Sequence, residues 1–541
     1  MKHYFSLTLL ATAVLAGCAT TSITPTDVTN GYNSIQADEL AKHVKVLASD
    51  EFGGRAPSSP GEKLTLDYLT AQFKALGLKP GNGDSYLQEV PLVSLEADSN
   101  MVLSIGGKDY QYKKDMVMGS SRISAQEGIE NSELVFVGYG VNAPEYNWND
   151  YEGLDVKGKT VVMLVNDPGF ATKDPALFTG DAMTYYGRWT YKYEEASRQG
   201  AAGAIIIHET APASYPWSVV ENSWSGEQFG FQKENNNMDR VAVEGWVTTD
   251  VAKELFTKAG LDFDTAKENA AKGAYHVDMG DLTASVNVKN TIKKSVSYNF
   301  IATLPGSEQP DEHVIYSAHW DHLGTDKTRK GDQIYNGAHD NATGTAGLIE
   351  VAEAFTKLPK HPSRSMTFLA VTAEEQGLLG SKYYAANPVI AANKTVANIN
   401  MDSLNLLGKV KDMNVVGIGK SQMDEFLATA AKEQGRTISG DPKPSSGGYY
   451  RSDHFAFANM GIPAMYAGGG TVAADEETAN YRKRMSLVLR GCYHQPCDRY
   501  RDEWDLSGAV QDLQLFYKVG FDISEQEQWP TWNASSEFQR K

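Results

Sequence analysis

Five short motifs in the last two-fifths of the chain hold a mixture of imidazoles and carboxylates: S-A-H-W-D-H-L-G (residues 317–324), N-G-A-H-D-N-A-T-G (336–344), T-A-E-E-Q-G (372–377), N-M-D-S (400–403) and Y-H-Q-P-C-D (493–498). From these motifs His319, Asp340, Asp402 and His494, with one of the adjacent pair Glu374 and Glu375, supply enough ligands for two divalent ions, and the other acid of that pair is left over as a carboxylate for proton transfer. Hydrolysis at a two-metal centre needs that uneven mixture, because imidazole and carboxylate fill the metal positions while a separate base moves the proton. With only 11 histidines in 541 residues, such a set is an improbable accident of composition.

The elements around the motifs must bring these groups together. Residues 312–318 are rich in β-formers (Val314, Ile315, Tyr316), so His319 is expected at the C-terminal end of a strand. In an open α/β sheet, ligands bind at that edge. Asp321 follows two residues later and could accept a hydrogen bond from the His319 ring, fixing its tautomer. Asp340 sits in a glycine-flanked turn before an apolar helical pattern over 342–355; alone it reads equally well as a helix N-cap. A buried strand over 365–373 runs into the adjacent acids Glu374 and Glu375, which repel each other unless a cation or proton lies between them. Another strand-like run, 396–401, closes on Asp402, and His494 lies in a turn bounded by Cys492, Pro496 and Cys497.

The order and wording of all five motifs resemble the co-catalytic two-zinc aminopeptidase family, which also includes glutamate carboxypeptidase-like and aminopeptidase Y-like members. The resemblance implies an α/β zinc-exopeptidase fold, with a mixed, mainly parallel sheet between helices. It implies two zinc ions per chain, one on His319 and Asp402, the other on Glu375 and His494, with Asp340 bridging them. Glu374 would be general base and acid, and Asp321 would orient His319. The family's glutaminyl-cyclase branch uses a single zinc and lacks the first histidine; the presence of His319 favours a hydrolase. Cobalt or manganese would also suit these ligands. Residues 447–466 carry further family wording. There Ser452, Asp453 and His454 are consecutive, so they cannot converge as a catalytic triad and read as structural. Tyr449 matches a tyrosine that helps hold the oxyanion, although a pocket-wall aromatic is an equal reading.

Residues 1–18 read as a lipoprotein signal: Lys2, an apolar stretch over 4–15, and the lipobox-like L-A-G-C ending at Cys18. Lipid on Cys18 would be the chain's one membrane attachment, to a bacterial envelope and by resemblance to the outer membrane, with 19–34 as a tether. Cys492 and Cys497 could pair as a disulfide in an oxidising compartment, with zinc ligation as the other reading. A formal charge of -18 argues against a nucleic-acid partner and leaves the oligomeric state open.

The length suggests more than one domain. Residues 35–131 are expected to form the N-terminal part of the peptidase domain, and 285–524 the catalytic part. Between them, over 132–284, the phrases F-V-G-Y-G-V, D-V-K-G-K-T-V-V and G-A-A-G-A-I-I-I resemble an inserted, β-rich protease-associated domain. A tail over 525–541 contains Trp529, Pro530 and Trp532.

The resemblance implies an aminopeptidase acting on peptides. The alternatives are a carboxypeptidase or other metal-dependent amide hydrolase, and a non-catalytic envelope binding protein. Arg451 and Arg490 stand near motifs, but no residue type identifies either as a clamp for a substrate carboxylate.

Overall fold

The computed structural model describes residues 22–534 and 536–540, so Cys18 and the signal segment lie outside the described residues. The main sheet runs, from one edge, through Glu227–Phe231, Leu87–Ala97, the second half of Val277–Leu304, Arg364–Val371, Gln309–His319, Thr395–Asn400, Ala464–Gly469, Asp412–Val415 and Thr437–Gly440. Its four central strands are parallel, and two of them, Arg364–Val371 and Thr395–Asn400, are buried throughout. Strands covered on both faces read as continuous apolar runs, as 364–371 does. Helices Ala37–Leu47, Pro60–Ala75, Thr343–Thr356, Met423–Glu433 and Ser507–Glu525 cover one face and share its core; Leu379–Ala386 and His454–Asn459 cover the other.

Residues 25–34, expected within a tether, instead form a helix on this body. Thr24 and Asp27 make a reciprocal capping box, and Pro25 occupies the first turn, where its missing N–H costs nothing. Gly31 approaches Tyr517 and the Ala354 carbonyl too closely for any Cβ. The polar surface of this short helix hid it from a reading based on apolar periodicity. The tail packs as well: Trp529 Nε1 donates to Glu312 (2.8 Å), and Trp532 is buried.

A second sheet has the order Lys108–Gln111, Val102–Ile105, the first half of Val277–Leu304, Gln126–Phe136, Thr160–Leu164, Gly203–His208, Val243–Thr248 and Met116–Gly119. It has its own apolar cores, and the 28-residue strand Val277–Leu304 passes through both sheets. This sheet takes in strands from Val102 onward, so the expected edge at Ser132 falls inside Gln126–Phe136. Among the described residues, no helix is long and apolar enough to cross a membrane.

Candidate metal centre

Three neighbouring parallel strands deliver the site. Gln309–His319 ends on His319, Arg364–Val371 leads into Glu374 and Glu375, and Thr395–Asn400 leads into Asp402. Asp340 comes from the turn before helix Thr343–Thr356, and His494 from the loop after helix Glu476–Cys492. The five expected ligands and Glu374 therefore converge at one sheet edge. His319 Nε2 lies 3.2 Å from Asp340 Oδ1 and 3.5 Å from Asp402 Oδ1. His494 Nε2 lies 3.1 Å from Asp340 Oδ2 and 3.0 Å from Glu375 Oε2. Each oxygen of Asp340 thus faces a different imidazole.

Buried donor atoms without hydrogen-bond partners, among them His319 Nε2 and Glu375 Oε1, point into this cluster. Nitrogen and carboxylate oxygen atoms gather within 4.8 Å of one another in groups that include His319–Asp340–Asp402. Such a mixed N/O set fits zinc. Without metal, burial favours the neutral forms, but mutual attraction prevails: Asp340 is held well below the usual carboxylate range by His319 and His494. Burial opposes protonation of His494, yet Asp340 and Glu375 raise it to about 10. Glu374 behaves oppositely, raised well above its ordinary value by burial and by Asp402, Asp453 and Glu375, against the pull of His319.

The supporting contacts differ in part from expectation. His319 Nδ1 donates to the backbone carbonyl of Asp321 at 3.1 Å, whereas the nearer Asp321 carboxylate oxygen is 3.8 Å away. That oxygen accepts instead from the Glu374 amide (3.1 Å). Asp321 therefore orients His319 through its main chain and Glu374 through its side chain. Ser452, Asp453 and His454 diverge: Ser452 Oγ donates to Asp402 Oδ2 (2.6 Å), Asp453 accepts from Ser381 (2.6 Å), and His454 is buried and pushed down to about 3 by burial. Tyr449 stands behind the pocket wall, packed with Tyr450, His454 and Phe538. The cavity over the site, about 360 Å³, presents Tyr466 and Tyr493 instead, with Asp340, Glu374, Asp402, Asp441 and Arg451. Cys492 and Cys497 form a disulfide beside His494, with Cα atoms 5.2 Å apart.

Residues 299–517 match peptidase family M28. The matched region contains His319, Asp340, Glu374, Glu375, Asp402 and His494. An aminopeptidase of Pseudomonas aeruginosa is 24% identical over 490 residues, 86% of this chain and 76% of that protein. Leupeptin-inactivating enzyme 1 of Streptomyces exfoliatus is 25% identical over 244 residues, 44% of this chain and half (50%) of that protein's length. The solved structure of an aminopeptidase from Aneurinibacillus sp. strain AM-1 covers 95% of this chain and 100% of its own, with a TM-score of 0.50 at 19% identity; it shares the fold.

Three residues around the cluster escape a reading of the motifs as ligands alone. Asp498 accepts from the amides of His339 and Asp340 (3.0 and 3.1 Å), fixing the turn that presents Asp340. Arg55, fully buried and far upstream, donates to the carbonyls of Leu47, Trp320, Asn336 and Gly337 at 2.6–2.8 Å, tying the His319 strand end to the Asp340 turn. Burial lowers its pKa to about 10, so it stays charged at neutral pH. Arg55→Met leaves four carbonyls without this donor and is expected to destabilise the fold by about 3 kcal/mol or more. An unchanged thermal midpoint would contradict that role.

The third is His322, the second histidine of H-W-D-H. It is completely buried, and its Nδ1 lies 2.5 Å from Glu375 Oε1, the oxygen turned away from His494. It also groups with Asp340 and Glu375 as a metal-ligand set. His322→Gln is expected to weaken metal binding at Glu375 by about 10–100-fold. A zinc titration showing unchanged binding would remove His322 from the centre.

Proposed function

We propose that the chain is a zinc-dependent aminopeptidase with two metal positions sharing Asp340. The division of the Asp340 carboxylate supports this most directly, with Oδ1 toward His319 and Oδ2 toward His494. On this reading His319, Asp340 and Asp402 hold one ion, and Asp340, Glu375 and His494 hold the other. Zinc, when bound, polarises the scissile carbonyl and makes water acidic enough to attack near neutral pH. The proton transfers belong to Glu374, which takes a proton from the attacking water and returns it to the leaving amine. Burial and the neighbouring Asp402, Asp453 and Glu375 raise its pKa above the ordinary carboxylate value, the direction that helps one carboxyl take up a proton and pass it on. Asp321 holds the Glu374 main chain, and Ser452 holds Asp402. Asp441, outside the ligand set but on the same cavity wall, offers a counter-charge to a substrate ammonium group.

Metal analysis tests the arrangement. Chelator-stripped protein reloaded with zinc should hold two ions per chain, and His319→Ala or His494→Ala should each retain one. A wild type saturating at one ion would overturn the shared-carboxylate reading.

We also assign the second sheet, with its own apolar cores, to the protease-associated insertion expected from its sequence phrases. A lipid anchor on Cys18 would place the enzyme on a bacterial envelope membrane. Cys18→Ser should then move it to the soluble fraction, and a variant that stays membrane-bound would remove the anchor from the account.

A further inference from the structure

Two arginines stand together where the second unit meets the rim of the catalytic cavity. Arg451 follows the Gly448–Tyr450 turn, is exposed and lines the cavity that contains Glu374, Asp340 and Asp402. Arg188 comes from the second unit, just before helix Trp189–Arg198. The segment carrying it docks on the catalytic loop: the Met183 amide donates to the Pro444 carbonyl (3.2 Å), and Tyr185 packs on Tyr450 and Phe455. Gly447 is part of the fit, because a Cβ there would lie 2.6 Å from Met183 Sδ and 3.3 Å from Arg188 Cδ.

Neither guanidinium has a carboxylate among the described residues. Arg364, Arg436 and Arg499 each pair with an acid, whereas Arg188 and Arg451 make no ion pair, and Arg188 Nε is buried without a hydrogen-bond partner. In a chain with 68 acidic and 50 basic residues, leaving two neighbouring cations unpaired is not forced by composition. Burial lowers Arg188 to about 10, and the next cause is repulsion from Arg451. Two neighbouring guanidiniums with no acid paired to either favour a carboxylate partner, since each offers planar, forked donors.

We propose that Arg451 and Arg188 bind a carboxylate of the peptide on the leaving-group side of the cleaved bond, either the C-terminal α-carboxylate of a very short peptide or an Asp or Glu side chain. This rests on the aminopeptidase reading and adds a substrate class to it: short peptides with free C-termini, or peptides acidic after the cleaved bond. It also gives the second unit a binding role, because Arg188 is held beside the Arg451 loop by the docking of that unit on residues 444–455.

The test uses the zinc-loaded full chain with Leu-Gly against Leu-Gly-amide, and Leu-Glu-amide against Leu-Gln-amide. The first pair reads the α-carboxylate and the second the side chain. In at least one pair the acid should show a KM lower by about tenfold with a similar kcat, as expected for a charge-assisted contact made before the chemical step. Arg451→Gln and Arg188→Gln should each bring that ratio close to one, and Arg451→Lys should restore part of it. The same ratios are read without turnover, as Kd values by calorimetry on zinc-loaded Glu374→Gln. If no peptide is cleaved, the aminopeptidase reading fails while the Kd ratio still decides the arginine site. Ratios near one in both wild-type pairs, or a ratio that survives both glutamine variants, would overturn it.

Discussion

Glu374→Gln is expected to lower kcat by about a thousandfold, or ~4 kcal/mol of activation free energy, with two zinc ions still bound. The substitution keeps the shape of the side chain and its Asp321-anchored amide but removes its capacity to carry a proton. Substrate affinity should change little, so the loss appears in kcat and not in KM. The variant also discriminates between roles, because the Glu374 oxygens lie close enough to His319 and Glu375 to be ligands themselves. A Glu374→Gln protein that loses one zinc would make Glu374 a ligand and leave the base unassigned.

Asp340→Ala should be more damaging, emptying both metal positions and abolishing activity, because one carboxylate is shared by both groups of ligands. It also has a consequence in the metal-free protein. The folded-state pKa of His494 is raised from 6.5 to about 10 by Asp340 and Glu375, so its pairing stabilises the fold fully below pH 6.5. That stability is lost as pH rises towards about 10. The Asp340 carboxylate is depressed, so its contribution is present above its ordinary value of 3.8 and is lost on acidification below it. Metal-free wild type should therefore show a thermal midpoint that falls between neutral pH and pH 10, and Asp340→Ala should flatten that limb. Equal slopes in the two proteins would mean that the pair does not form. A metal titration that leaves one zinc on Asp340→Ala would show that the carboxylate is not shared.

His319, the Glu374–Glu375 pair and Asp402 were legible because each follows a recognisable β-run, and a parallel strand leaves its C-terminal residue at the sheet edge where they meet, whereas Asp340 and His494, in turns, were legible only from their motif wording. What sequence could not supply is direction. Asp321 was expected to accept from His319, and only the backbone turn shows that its carbonyl does so and leaves the carboxylate for Glu374. Tyr449 carries the matching motif wording, yet the short turn Gly448–Tyr450 sends its ring against Gly417 and Phe538. Arg55 was invisible because its four acceptors are backbone carbonyls, which leave no trace in side-chain patterns. His322 carried a signal, a second imidazole three residues after a proposed ligand, but spacing after a strand end does not say which way the ring turns. The pairing of Arg188 with Arg451 depends on docking of one sheet's loops against the other's, a contact no local pattern encodes.

The most direct test of the central claim is release of free amino acid from matched peptides with free and N-acetylated amino termini, using purified protein stripped by chelator and then reloaded with zinc. The account predicts cleavage of the free-terminus peptides alone, lost on stripping and regained with zinc. Cleavage of the acetylated peptides at comparable rates, or activity indifferent to metal removal, would contradict it.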